Sequence, residues 1–283
     1  MKYLLHGLVL ATVCGCTASS RPTGAPGPDT STTRLAGWQL AWSDEFELPD
    51  GSPVDPATWT HELGGDGWGN EELQYYTDGT DNAVIRGGAL VMTAKSGAST
   101  HSCWYGACRY TSARLVTKGK FEPRYGRIEA RIRVPAGKGM WPAFWLLGAN
   151  MDNVGWPQCG EIDVMENVGH EPHEVYGSLH GDGYSNENGL ITGYTVPGAP
   201  LSEAYHRYAV EWEAGAIRFY VDDVLYSTRT PADVPPGRAW AFDHPFYILL
   251  NVAVGGTWPG DPDEATHFPQ TMQVDWVRAY VKS

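Results

Sequence analysis

An all-β sandwich or barrel is the fold class predicted for this 283-residue chain. Three observations predict it. Apolar residues alternate with polar ones over strand-length stretches along most of the sequence. The 34 glycines and 20 prolines, about a fifth of the chain, supply breaks between such stretches. No helical period of useful length appears, and many short strands without helices leave a sandwich or a barrel.

Taken in order, the chain opens with an export signal over residues 1–16. Lys2 precedes an apolar run from Leu4 to Val13, followed by small residues. The run is too short to span a bilayer. Val13-Cys14-Gly15-Cys16 resembles a bacterial lipobox with Cys16 as the lipidated residue, although Cys14 departs from the usual residue at its position. Plain secretion is the alternative. Residues 17–34 are rich in Ser, Thr, Pro and Gly and read as a flexible tether. Residues 35–283 form one folded domain, a size ordinary for a single all-β unit.

Within that domain, Ile128, Ala130, Ile132 and Val134 alternate with Arg127, Glu129, Arg131 and Arg133. Tyr208, Val210 and Trp212 alternate across His206 to Trp212, and Ile217, Phe219 and Val221 lead to an Asp222-Asp223 turn. Phe246 to Val254 is almost continuously apolar, as a central strand covered on both faces requires. Val277, Ala279 and Val281 give a closing strand. Cys103 and Cys108 are expected to pair in an oxidising compartment and to pin a turn, while Cys159 reads as a buried, unreactive thiol.

The formal net charge of −13 argues against nucleic acid and anionic polymers, both of which need a basic footprint. It is compatible with a neutral polymer. Twelve tryptophans and 15 tyrosines offer flat apolar faces on which sugar rings could stack.

Chemistry is concentrated in Glu161-Ile162-Asp163-Val164-Met165-Glu166, which places three carboxylates in a stretch that otherwise reads as a buried strand. Burying carboxylates is costly unless they are hydrogen-bonded or used. Alternation puts Glu161 and Asp163 on one face but sends Glu166 to the other. A β-bulge at Val164–Met165 would reset the phase and return Glu166 to the first face. Paired carboxylates whose pKa values are pushed apart are what glycoside cleavage uses. Retention needs the two carboxyl groups ~5–5.5 Å apart and inversion ~6.5–9.5 Å, and sequence spacing leaves both open. No His or Cys cluster has zinc-site spacing.

Around that hexapeptide, LAWSDEF at 40–46, GWGNEELQYYT at 67–77, the long block at 110–148 that ends in GKGMWPAFWLLG, and NVAVGGTWPG at 251–260 resemble glycoside hydrolase family 16, and within it the laminarinase-like endo-β-1,3-glucanases. The resemblance spans residues 38–282. It implies a concanavalin A-like β-jelly-roll of two antiparallel sheets with a substrate cleft on the concave one. It implies Glu161 as nucleophile, Glu166 as acid/base and Asp163 as the carboxylate between them. Trp141 and Trp145, which share a strand face, are implied as sugar platforms, and Trp156 as another cleft residue. His180 is implied to face the carboxylates, and Asn70, Arg114, Asn251 and Trp258 to line the groove. Catalysis would need no cofactor. A structural calcium is implied on the convex face, held by Asp275 with the carbonyls of Glu45 and Gly87; read without the resemblance, Asp275 is an exposed strand residue. Pro142 suggests an edge or local break in its strand. Glu71 and Glu72 read as surface charges, and His170 and His173 have no claim on the site.

The expected partner is a neutral β-glucan, with no nucleic acid, membrane contact only through a lipid anchor, and a monomeric state. Lichenases of the family carry a shorter E-I-D-I-E spacing, so Met165 favours the laminarinase side. Agarase and transglycosylase activities use the same residues. A non-catalytic glucan-binding protein is the alternative from a different class, and the intact carboxylates argue against it.

Overall fold

The computed structural model describes residues 35–283. The stretches expected to be an export signal and a tether, and Cys16, lie outside the described residues. Two large sheets, antiparallel except for one parallel pair, stack as a jelly-roll sandwich. The seven-stranded sheet runs in the order Thr192–Thr195, Glu174–His180, Glu161–Glu166, Met140–Gly148, Phe246–Val254, Arg114–Val116, Thr60–His61. The ten-stranded sheet is built around Gly126–Arg133 and Gln270–Lys282, which pair with each other.

The alternating stretches become strands because one set of side chains fills the space between the sheets. Ile128, Ala130 and Ile132 from one sheet meet the core that also holds Phe144, Leu146, Ile162 and Leu250 from the other. Each large aliphatic side chain buried there contributes roughly 1.5–3 kcal/mol relative to exposure. Phe246–Val254 is buried along its whole length, between Met140–Gly148 and Arg114–Val116. The Asp222-Asp223 turn takes the left-handed conformation at both residues (φ 48° and 67°), which matches the twist of the strands it joins.

The carboxylate strand contains the expected bulge. Phe144 pairs with Met165 but Trp145 pairs with Asp163, so Val164 is the extra residue. Val164 and Met165 both enter the core, and Glu166 returns to the face of Glu161 and Asp163. Two consecutive inward apolar residues are the local cause: alternation would have put one of them in the cleft.

Pro142 is not on an edge strand. It lies mid-sheet opposite Val252, where the neighbouring carboxylate strand has just ended. Its carbonyl accepts from Asn167 N–H, so the missing proline donor falls at the end of that ladder. Cys103 and Cys108 form a disulfide, with Cα atoms 5.1 Å apart, beneath a hairpin of Ser102–Cys103 and Gly106–Ala107.

Candidate active site

The seven-stranded sheet aligns the site in cross-strand rows. Glu161 lies between Leu147 and His180, Asp163 between Trp145 and Ser178, and Glu166 between Ala143 and Tyr176. The Glu166 row continues through Ala143 to Asn251 and Arg114. Residues far apart in sequence therefore share one face of the sheet because register places them side by side.

Each outer carboxylate is held by an indole. Trp141 Nε1–H donates to Glu166 Oε1 at 2.9 Å, and Trp156 Nε1–H donates to Glu161 Oε2 at 2.9 Å. His180 Nε2 lies 3.1 Å from Asp163 Oδ2 and 3.9 Å from Glu161 Oε1. The ring is buried, and Gly189 makes room for it, since a Cβ there would sit 2.5 Å from His180 Cε1.

Burial, and then the negative charge of Asp163, pushes Glu161 up to about 8. Burial likewise pushes Asp163 up to about 8, opposed by a hydrogen bond with Glu161. Glu166 is raised well above the usual carboxylate range, by burial first and by Asp163 second, and Trp141 and His180 pull it back only in part. Three carboxyl groups this close titrate as a set, and at neutral pH they share protons. With Glu166 Oε1 bound to Trp141, its other oxygen is the one free to carry a transferable proton. Glu161, Asp163 and His180 also bring their ligand atoms within 4.8 Å of one another.

Trp258 packs edge-on against Trp141, with ring centroids 5.5 Å apart, and against Tyr176 at 5.0 Å. Trp156 and Trp258 are partly open to solvent. Trp145 Nε1–H donates to Asn251 Oδ1 at 2.7 Å, and Asn251 donates to Tyr76 Oη at 3.2 Å. The Arg114 guanidinium is layered between Trp68 (4.6 Å) and Trp145 (4.8 Å) and bonds Glu62 at 2.5 Å. Asn70 Nδ2 donates to Glu72 Oε1 at 3.2 Å, and its carbonyl accepts from Thr257 N–H.

Glu72 is not a surface charge. It is 4% exposed and accepts hydrogen bonds from Gln74 (2.6 Å), Tyr76 (3.1 Å) and Asn70. Glu71 is exposed, as expected. Asp275 is buried rather than exposed: a second bulge, between Trp276 and Val274 in the pairing with Gly126–Arg133, sets it beside Arg131 Nη1 at 2.6 Å. The Glu45 carboxylate binds Arg278 through both oxygens, at 2.9 Å each. Cys159 is buried just before the carboxylate strand, packed with Leu147 and Tyr247, and burial followed by the Glu161 charge pushes its thiol up to about 11.

Tyr176, Trp68 and Glu62 escaped the sequence reading. Tyr176 was within reach, since it lies four residues before His180 on the same strand face. Its hydroxyl donates to Glu171 at 2.6 Å. Trp68 and Glu62 come from loops and a strand end whose approach to Arg114 no local pattern encodes. A recess of about 650 Å³ opens elsewhere, between residues 77–82 and 95–101, and none of the site carboxylates lines it.

The family model described as Glycosyl hydrolases family 16 matches residues 68–278. The chain is 42% identical over 254 residues to a beta-glucanase of Rhodothermus marinus, covering 86% of this chain and 85% of that protein. Its structure is similar to the laminarinase catalytic domain from Thermotoga maritima MSB8, at 46% identity and a TM-score of 0.81, over 87% of this chain and 99% of that one. The endo-beta-1,3-glucanase from Pyrococcus furiosus gives 46% identity and a TM-score of 0.81, over 87% of this chain and 96% of that one. With the match covering most of the folded domain and all of the carboxylate strand, the chain belongs to glycoside hydrolase family 16.

Proposed function

We propose that the protein is an endo-acting hydrolase that cuts internal β-1,3-glucosidic bonds in neutral glucans such as laminarin, with retention of configuration. One observation carries the reading. Three carboxylates, Asp163 buried and Glu161 and Glu166 half-buried, share one face of the sheet, and separate indole donors fix the two outer ones.

Glu161 attacks the anomeric carbon while Glu166 gives its proton to the leaving glycosidic oxygen, so the sugar–oxygen bond breaks as the glycosyl–Glu161 ester forms. Glu166, now ionised, takes a proton from water, and the resulting nucleophile releases the ester. Asp163, next to both, raises its neighbours' proton affinity and with His180 steadies Glu161. Trp141, Trp145, Trp156 and Trp258 supply apolar faces for sugar rings, and Asn70, Arg114 and Asn251 shape the groove. No cofactor enters these steps. The relatives named laminarinase and endo-beta-1,3-glucanase support the choice of linkage.

Glu161→Gln tests the assignment. It is expected to bind laminari-oligosaccharides in calorimetry yet to lose at least about a thousandfold in turnover on laminarin, since it removes the nucleophile. Wild-type turnover in that variant would sink the role of Glu161.

Two further elements belong to this reading. The hard oxygen donors of Asp275 and the Glu45 and Gly87 carbonyls suit a structural calcium, which would share the Asp275 carboxylate with Arg131. A chelator should then lower Tm and leave kcat alone, and an unchanged Tm would reject the ion. The lipobox-like sequence supports anchoring at the cell surface through Cys16, and Cys16→Ala should release the enzyme from membranes.

A further inference from the structure

Trp104 has no role in the chemistry above, yet the fold goes to some length to hold it. It occupies the tip of the hairpin in which Ser102 pairs with Ala107 and Cys103 with Gly106, leaving Trp104 and Tyr105 as the turn. A hairpin this short is unstable by itself. Here the Cys103–Cys108 disulfide closes its base. Trp104 N–H donates to the Gly65 carbonyl at 2.8 Å, and Trp104 Nε1–H to the Glu72 carbonyl at 2.8 Å. Tyr105 Oη donates to the Leu73 carbonyl at 2.6 Å. The indole edge rests on Gly67, where a Cβ would come within 3.1 Å of Trp104 Cδ1. Despite these anchors the side chain is 50% exposed. Its one polar group is satisfied, so what it offers to solvent is fixed apolar ring surface.

The segment that anchors Trp104 is the one that borders the cleft. Trp68 stacks on Arg114, and Arg114 on Trp145. The Asn70 carbonyl accepts from Thr257 N–H, and Gly256 fits between that carbonyl and the Trp141 ring. Trp141 in turn holds Glu166. A continuous set of contacts therefore runs from the acid to the loop at 67–72 and on to the hairpin tip. A rigid aromatic costs little conformational entropy on binding, which makes it effective at holding a flexible polymer.

We propose that Trp104 is an outlying platform for the glucan, stacking on a sugar unit beyond those that flank the cleaved bond. The chemical class of the ligand is a neutral polysaccharide chain long enough to pass the loop at 67–72. This rests on the glucan-hydrolase reading and adds a contact selective for chain length.

The test compares Trp104→Ala and Trp104→Phe with the wild type on laminarin and on laminaritriose. Trp104→Ala should raise KM for laminarin about three- to tenfold with kcat little changed, the fold-change expected from losing one aromatic contact. Its kcat/KM on the trisaccharide should equal that of the wild type. Trp104→Phe, which keeps a ring but lacks the indole N–H, should recover most of the affinity for the polymer. An unchanged laminarin KM in Trp104→Ala would overturn the proposal. So would an equal loss on the trisaccharide, or a Phe variant as impaired as the Ala one, because either result makes Trp104 a prop for the loop. A wild-type enzyme that releases no sugar from laminarin would instead sink the glucan-hydrolase reading itself.

Discussion

Single hydrogen bonds temper the proton affinity of Glu161 and Glu166. Both are raised by burial, and each has an indole donor that favours its charged form. Trp141→Phe removes the donor from Glu166 and keeps an apolar ring. The Glu166 carboxyl should then hold its proton to still higher pH. The basic limb of the kcat/KM profile is expected to move upward, with kcat reduced about tenfold because the same group is a less well-placed base in the second step. A basic limb that stays in place would show that Trp141 does not tune the acid. The carboxylates were legible in the sequence because their chemistry and the strand period are local, whereas Trp141 was indicated by the family resemblance. Glu72 was misread for the opposite reason. Its environment is set by Tyr76 and by Asn251, a residue distant in the chain, and nothing near Glu72 in sequence announces that a carboxylate will be enclosed there.

At the scale of the element, the bulge at Val164 decides whether the site exists. Alternation alone would bury Glu166 and expose Met165, and the cost of an unpaired buried carboxylate makes that register untenable. The sequence revealed the bulge because two apolar residues stand together between acidic ones. It did not reveal the second bulge at Asp275, where no such doublet marks the slip. Pro142 signals an edge or a local break, and the structure has neither an edge nor a broken strand there: the neighbouring strand ends beside it, which removes the need for its missing N–H. Met165 is fully buried in the core. Met165→Ala should destabilise the protein by about 2–5 kcal/mol in urea unfolding, from lost burial and the cavity left behind. A change below about 0.5 kcal/mol would mean that the inward half of the bulge is loosely packed and that the register of Glu166 rests on other contacts.

Across the whole molecule, carboxylates of opposite character shape the dependence of stability on pH. Asp222, although burial opposes it, is held below its usual range by hydrogen bonds from His206 and the Arg207 N–H. A depressed folded value adds stability above the unfolded pKa, and that stability is lost as pH falls through the folded one. Glu161, Asp163 and Glu166 behave in the reverse sense. Their folded values are raised, so the folded state holds more protons than the unfolded state from about pH 4 upward. Stability from this set is complete in acid and is lost as pH rises toward about 8, where Glu161 and Asp163 ionise. The cleft thus costs the fold most under neutral to alkaline conditions, where one carboxylate must be charged to attack. Glu166→Gln removes one of the raised groups and keeps its shape and one hydrogen-bonding oxygen for Trp141. The variant should match the wild type in Tm near pH 4 and exceed it near pH 8 by about 2–4 °C for each kcal/mol regained. A Tm difference that is flat across this range, or largest in acid, would show that the buried carboxylates do not repel one another as their burial and spacing require.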